Sequence, residues 1–151
     1  MSVYVVDASV AAKWFFDEPL SDDATRLLDA SHTLHVPDFF FLEIDNVLCK
    51  KMRRGEISGG EAQEIRSAIG IFPLQKHPFQ LLMDPAFELA AQTQSSPYDC
   101  LYLILAIVLG SQMVTADRRF YDNICKSQLT AENLCWVEDL PQIDGNTTKG
   151  M

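Results

Sequence analysis

Short apolar runs rich in β-branched and aromatic residues recur along this chain, and helical stretches separate them. Val3–Val6, Leu34–Val36, Phe72–Gln75, Met113–Thr115 and Leu134–Val137 read as five strands, the first of them buried. Between them the residue pattern predicts helices over Val10–Phe16, Asp22–Ser31, Phe39–Arg54, Ser58–Gly70, Pro85–Gln94, Pro97–Leu109 and Arg118–Ile124. Asp38 is placed to cap the long third helix, and Gly55 follows its basic last turn as a stop signal. Pro97 opens an apolar helix that Gly110 ends. Phe79–Leu82 fits neither pattern. Strands alternating with helices imply an α/β fold around a mostly parallel sheet of about five strands. We expect one domain over residues 1–141 and a flexible tail over 142–151.

In such sheets, sites form at the carboxyl ends of the strands. Asp7 follows Val3-Tyr4-Val5-Val6, and Asp117 follows Met113-Val114-Thr115-Ala116. Two further acids border apolar segments: Glu43, in Phe39-Phe40-Phe41-Leu42-Glu43-Ile44, and Asp99, in Pro97-Tyr98-Asp99-Cys100-Leu101. Each has an ordinary explanation alone. Asp7 and Asp117 suit turns or helix caps, Asp99 sits in a first helical turn, and Glu43 suits a helix surface. Together they carry more weight, because clustered carboxylates repel and destabilise a fold unless a cation joins them. Four converging oxygen ligands would suit a hard divalent cation and metal-assisted phosphoester cleavage. Ser9 and Thr115 offer hydroxyls that can hold a carboxylate, Asn46 shares a helix face with Glu43, and Arg118 and Arg119 are candidate phosphate contacts.

Other classes fit less well. A haloacid-dehalogenase-like phosphatase needs a second Asp two residues after the first, and position 9 is Ser. A receiver-type domain needs an acidic pair after the first strand, and Val6-Asp7-Ala8 holds one acid. No Ser-His-Asp or Cys-His set is evident. Twelve Lys+Arg against 21 Asp+Glu leave a net charge of −9, which argues against a general nucleic-acid-binding surface. Basic strips remain at Lys50-Lys51-Met52-Arg53-Arg54 and Arg118-Arg119. Cys49, Cys100, Cys125 and Cys135 form no CxxC pair and read as free thiols in a reducing compartment, and His32, His35 and His77 lack zinc-ligand spacing. No signal-peptide pattern is visible, and the longest apolar run is too short to span a membrane, so a cytoplasmic protein is expected.

The segments Val5-Val6-Asp7-Ala8-Ser9, Leu42-Glu43-Ile44-Asp45-Asn46-Val47-Leu48, Tyr98-Asp99-Cys100-Leu101-Tyr102-Leu103 and Val114-Thr115-Ala116-Asp117-Arg118-Arg119-Phe120 resemble the PIN domain. More narrowly, they resemble the VapC-like toxin ribonucleases of type II toxin–antitoxin pairs. The resemblance runs from Val3 to about Leu140. It implies a three-layer α/β/α sandwich and a Mg²⁺- or Mn²⁺-dependent endoribonuclease, often a homodimer, whose antitoxin inserts a peptide into the active groove. By position, Asp7, Glu43, Asp99 and Asp117 become the acidic quartet that binds the metal, with Ser9 and Thr115 auxiliary. The alternative is a catalytically silent PIN-like domain that binds RNA or a protein. The marked acidity, to which Asp45 and Asp122 contribute near the site-bearing segments, departs from expectation for an RNA-binding enzyme.

Overall fold

The computed structural model describes residues 2–127 and 129–142; the expected tail lies outside them except for Gln142. Five strands form one sheet: β1 (Ser2–Val6), β2 (His32–Pro37), β3 (Leu74–His77), β4 (Gln112–Thr115) and β5 (Leu134–Trp136). Every pairing is parallel, and the order is β3-β2-β1-β4-β5. The helices are α1 (Ala8–Ala12), α2 (Ser21–Ala24), α3 (Phe40–Arg53), α4 (Gly59–Ile71), α5 (Met83–Thr93), α6 (Pro97–Val108) and α7 (Arg118–Ser127).

The strand order dictates the layers. From β1 the chain steps outward through β2 to β3, then returns past β1 to β4 and β5. Right-handed crossovers therefore put α1–α4 on one face and α5–α7 on the other, with the sheet between. Val5, Val6, Val36 and Val114 are fully buried at its centre. From the α1–α4 layer comes Phe40, also fully buried, a burial worth about 2–3 kcal/mol. From the other comes α6, whose Cys100, Leu101, Tyr102, Leu103, Leu105 and Ala106 are all buried. The chain reverses its direction of travel between β1 and β4, so the crevice at their carboxyl ends is the topological switch point.

Several expected ends hold. Gly55 (φ 72°) and Gly110 (φ 62°) take the left-handed backbone that terminates α3 and α6. Ser58 and Glu61 bond reciprocally, each at 3.1 Å, in a capping box. Others differ. Asp38 does not cap α3; Phe39 stands at that position without a side-chain cap, and the Asp38 carboxylate accepts the Phe79 amide at 3.3 Å. The first helix begins at Ala8 and stops at Ala12, because Trp14 leaves it to donate to the Ala24 carbonyl at 2.9 Å and pack on Phe72. The second shortens to Ser21–Ala24 and continues as a 3₁₀ turn, Thr25–Leu28, where Arg26 bonds the Leu140 carbonyl at 2.9 Å. β3 lies two residues later than expected, since pairing of Leu74 with Leu34 sets its register. Residues Gln80–Leu82 form a 3₁₀ turn.

Trp14, Phe15 and Phe16 pack partly buried against the core. The cysteines are free, Cys100 and Cys135 buried. No helix among the described residues is long and apolar enough to cross a membrane.

Candidate active site

Asp7 closes β1 and caps α1. Its amide donates to the Val114 carbonyl at 3.2 Å, locking it beside the end of β4. Its carboxylate is 5% exposed, and Oδ2 accepts two hydroxyls, Ser9 Oγ at 2.8 Å and Thr115 Oγ1 at 3.0 Å. Thr115 is fully buried, and its Oγ1 accepts the Asp117 amide at 3.1 Å. Asp117 Oδ1 accepts the Phe120 amide at 3.1 Å, the N-terminal cap of α7. Asp7 and Asp117 thus serve as caps and are joined through Thr115. Ser9, Thr115 and both acids form one chain of hydrogen bonds.

Glu43, in the first turn of α3, is half-buried, and its Oε1 accepts the Tyr102 hydroxyl at 2.6 Å. That short bond from a fully buried tyrosine fixes its direction. Sequence reasoning assigned Glu43 no such partner, because Tyr102 reads as one more apolar position of α6. Asn46 is exposed and makes no hydrogen bond to Glu43, although both line one groove. Asp99 sits in the first turn of α6, where Ser96 Oγ accepts the amides of Tyr98 at 3.0 Å and Asp99 at 3.3 Å. No hydrogen bond reaches its carboxylate among the described residues. Tyr98 is 63% exposed, its ring edge-on to Phe39 at 6.0 Å.

Electrostatics tie the four together. Burial first, then the charges of Asp7, Asp117 and Glu43, push the Asp99 carboxyl up to about 8. Burial raises Asp7 against the opposing Ser9 and Thr115 bonds, with Asp117 adding a smaller upward push. Burial also raises Glu43, opposed by the Tyr102 bond and helped by Asp7. These are carboxylates close enough to resist shared ionisation, the condition a cation relieves.

Asp99 and Asp117 line a cleft of about 320 Å³ with Ser95, Ser96, Arg119 and Asn123. Glu43 lines a second, of about 630 Å³, with Phe39, Leu42, Asn46, Arg53 and Tyr98. Among the described residues no three His, Cys, Asp or Glu side chains close into a direct ligand shell. The donor set is all oxygen, and Mg²⁺-type ions retain waters and take only one or two carboxylates directly, so the residues fit such an ion bound partly through water. Of the two arginines, Arg119 faces the cleft. Arg118 instead pairs with Asp122 at 3.2 Å and lies over Trp136 at 5.0 Å. Asp45 is likewise paired, with Arg66 at 2.7 Å. The acids that seemed to crowd the site are thus each held by an arginine.

The PIN domain family model matches residues 4–124. Ribonuclease VapC3 of Pyrobaculum aerophilum is 32% identical over 117 residues, 76% of this chain and 89% of that protein. Ribonuclease VapC9 of Mycobacterium tuberculosis is 30% identical over 118 residues, 78% of this chain and 88% of that one. Among solved structures, PAE2754 from Pyrobaculum aerophilum superposes with a TM-score of 0.60 at 21% identity, covering 91% of this chain and 85% of that one. VapBC2 from Rickettsia felis, bound to a DNA fragment from its promoter, gives 0.59 at 15% identity, covering 89% and 98%.

Proposed function

Because the chain belongs to the PIN domain family, we propose that it is an endoribonuclease, the toxin of a toxin–antitoxin pair, with Asp7, Glu43, Asp99 and Asp117 as its catalytic carboxylates. The observation that supports this is the electrostatic coupling of the four, in which burial and the charges of Asp7, Asp117 and Glu43 hold Asp99 up to about 8. Carboxyls so perturbed by burial and like charge cluster at functional sites. The toxin assignment rests on relatives named VapC ribonucleases at 32% and 30% identity.

The reaction is hydrolysis of an RNA phosphodiester: water adds to phosphorus, and a ribose oxygen leaves with a proton. A bound Mg²⁺ or Mn²⁺ supplies a water of lowered pKa and offsets the negative charge of the phosphate. Asp7, Asp99, Asp117 and Glu43 are the residues that hold it, directly or through water. Ser9 and Thr115 fix the orientation of the Asp7 carboxylate. Tyr102 keeps Glu43 from swinging out to solvent. Arg119 is the phosphate contact; Arg118, already paired and stacked, braces α7.

The groove beside Glu43 is where we place an antitoxin peptide. Its walls include Leu42, 72% exposed, and Tyr98, 63% exposed, an apolar surface costly to leave in water. A cytoplasmic homodimer completes the reading. Light scattering gives its mass directly, and a monomer at micromolar concentration removes that part alone.

The test is cleavage of structured RNA by purified protein with Mg²⁺ or Mn²⁺, beside EDTA and Asp99→Asn controls. Cation-dependent cleavage lost in both supports the proposal. RNA bound but uncut under all conditions rejects it in favour of a silent binding domain, and cleavage that survives Asp99→Asn removes Asp99 from the catalytic set.

A further inference from the structure

His35 and His77 meet across β2 and β3, outside the hydrogen-bond network of the carboxylates. Nδ1 of His35 lies 2.9 Å from Nε2 of His77, with ring centroids 5.1 Å apart and planes tilted by 30°. The sheet register makes the encounter. His35 is level with Gln75, so His77, two residues on, shares its face one diagonal step away. Their 42-residue separation explains why no ligand spacing is visible in the sequence. The backbone fixes the pair: the His77 carbonyl accepts the Asp38 amide at 2.8 Å, and the Asp38 carboxylate accepts the Phe79 amide at 3.3 Å. Both rings are partly exposed, so water and ions reach them.

Two facing ring nitrogens at this separation have two stable arrangements. They share one proton, or they share one cation. Metal–nitrogen bonds of about 2.0–2.1 Å at a right angle put the two nitrogens about 2.9 Å apart. We propose that His35 Nδ1 and His77 Nε2 form a two-histidine chelate for a tetragonal divalent transition-metal ion of the Ni²⁺ or Cu²⁺ class. Burial, and then the neighbouring His77, hold the His35 ring below the usual histidine range, which keeps its lone pair available near neutral pH. No third His, Cys, Asp or Glu completes the set among the described residues, so water fills the other positions. Imidazole selects this class of ion, whereas the carboxylate crevice selects Mg²⁺ or Mn²⁺. The histidine pair and the carboxylates thus differ in ligand chemistry, and they are told apart by which substitution removes the ion.

Ni²⁺ is the probe, because it does not oxidise the thiols. Metal-free, untagged, full-length protein is titrated by calorimetry near neutral pH as wild type, His35→Gln, His77→Gln and Asp99→Asn. A histidine-dependent Ni²⁺ site, one per chain, is expected in wild type and in Asp99→Asn whatever the carboxylates bind, with affinity lower by roughly 10-fold or more in each histidine variant, since each loses one of two ligands. In the wild type itself, paramagnetic Ni²⁺ should broaden the ring signals of His35 and His77 before those of His32, a readout that needs no variant to fold. Absence of stoichiometric binding, an unchanged affinity in either histidine variant, or broadening centred on His32 overturns the chelate. No RNA is involved, so the outcome is independent of the nuclease proposal.

Discussion

The Tyr102 hydroxyl joins α6 to Glu43 on α3, two elements that meet only in the folded chain. Tyr102→Phe keeps the buried ring and removes that bond. Positioning partners of this kind are typically worth about 10–100-fold in activity or metal affinity. We expect cleavage to fall by that order in Tyr102→Phe, with the melting temperature nearly unchanged; equal cleavage rates for variant and wild type would remove Tyr102 from the machinery. Asp99 makes a second prediction. Its carboxyl is raised from 3.8 to about 8, so the cation-free folded protein holds a proton that the unfolded chain has released across that window. The resulting stability is fully present below the unfolded value and is lost as pH rises towards about 8. Asp7 and Glu43, raised mainly by burial, act in the same direction. The melting temperature in EDTA should therefore drop as pH climbs through this range. Asp99→Asn should flatten the drop, and excess Mg²⁺ or Mn²⁺ should reverse it by binding the folded state alone. A melting temperature in EDTA that rises over the same range would contradict the repulsion argument.

At the scale of elements, α6 matters most, because its first turn carries Asp99 and its body fills the core. Ser96 caps it with two hydrogen bonds, at 3.0 and 3.3 Å. Ser96→Ala should cost about 1 kcal/mol, a fall of roughly 2–4 °C in melting temperature for a domain of this size. Much of this scale was readable along the chain. The Ser58–Glu61 box, the glycine stops at Gly55 and Gly110, and Pro97 at a helix start all act within one helical turn, so four or five residues contain their physics. The misses share a cause. Asp38 has the chemistry of a cap, but the Phe79 amide competes for its carboxylate from 41 residues away. Trp14 fits a longer helix by pattern, but the Ala24 carbonyl and the Phe72 ring draw it out. Local propensity lost wherever a distant partner offered more.

For the whole molecule, charge and surface set the terms of partnership. A net charge of −9 leaves few cations to hold RNA, and Arg119 is the one that lines the Asp99–Asp117 cleft among its described residues. On the proposed function a cation in the crevice serves affinity as well as chemistry, so RNA binding itself should weaken in EDTA. The apolar groove makes a separate prediction. Leu42→Asp alters an exposed side chain, so stability should shift by no more than about 0.5 kcal/mol. Capture of the proposed antitoxin should nevertheless be lost in co-purification; undiminished capture would move the peptide elsewhere.

Order of elements and the parallel sheet were determined by the sequence itself, which also marks the four proposed acids by their positions at the ends of apolar segments. Apolar periodicity and strand-end position are properties of a residue and its immediate neighbours. Which groups hold those acids was decided only by the tertiary structure. Thr115 reaches Asp7 across 108 residues, Tyr102 reaches Glu43 across 59, and His35 meets His77 through strand register. Each is a partnership of direction and distance, and neither exists until the sheet has brought its strands side by side.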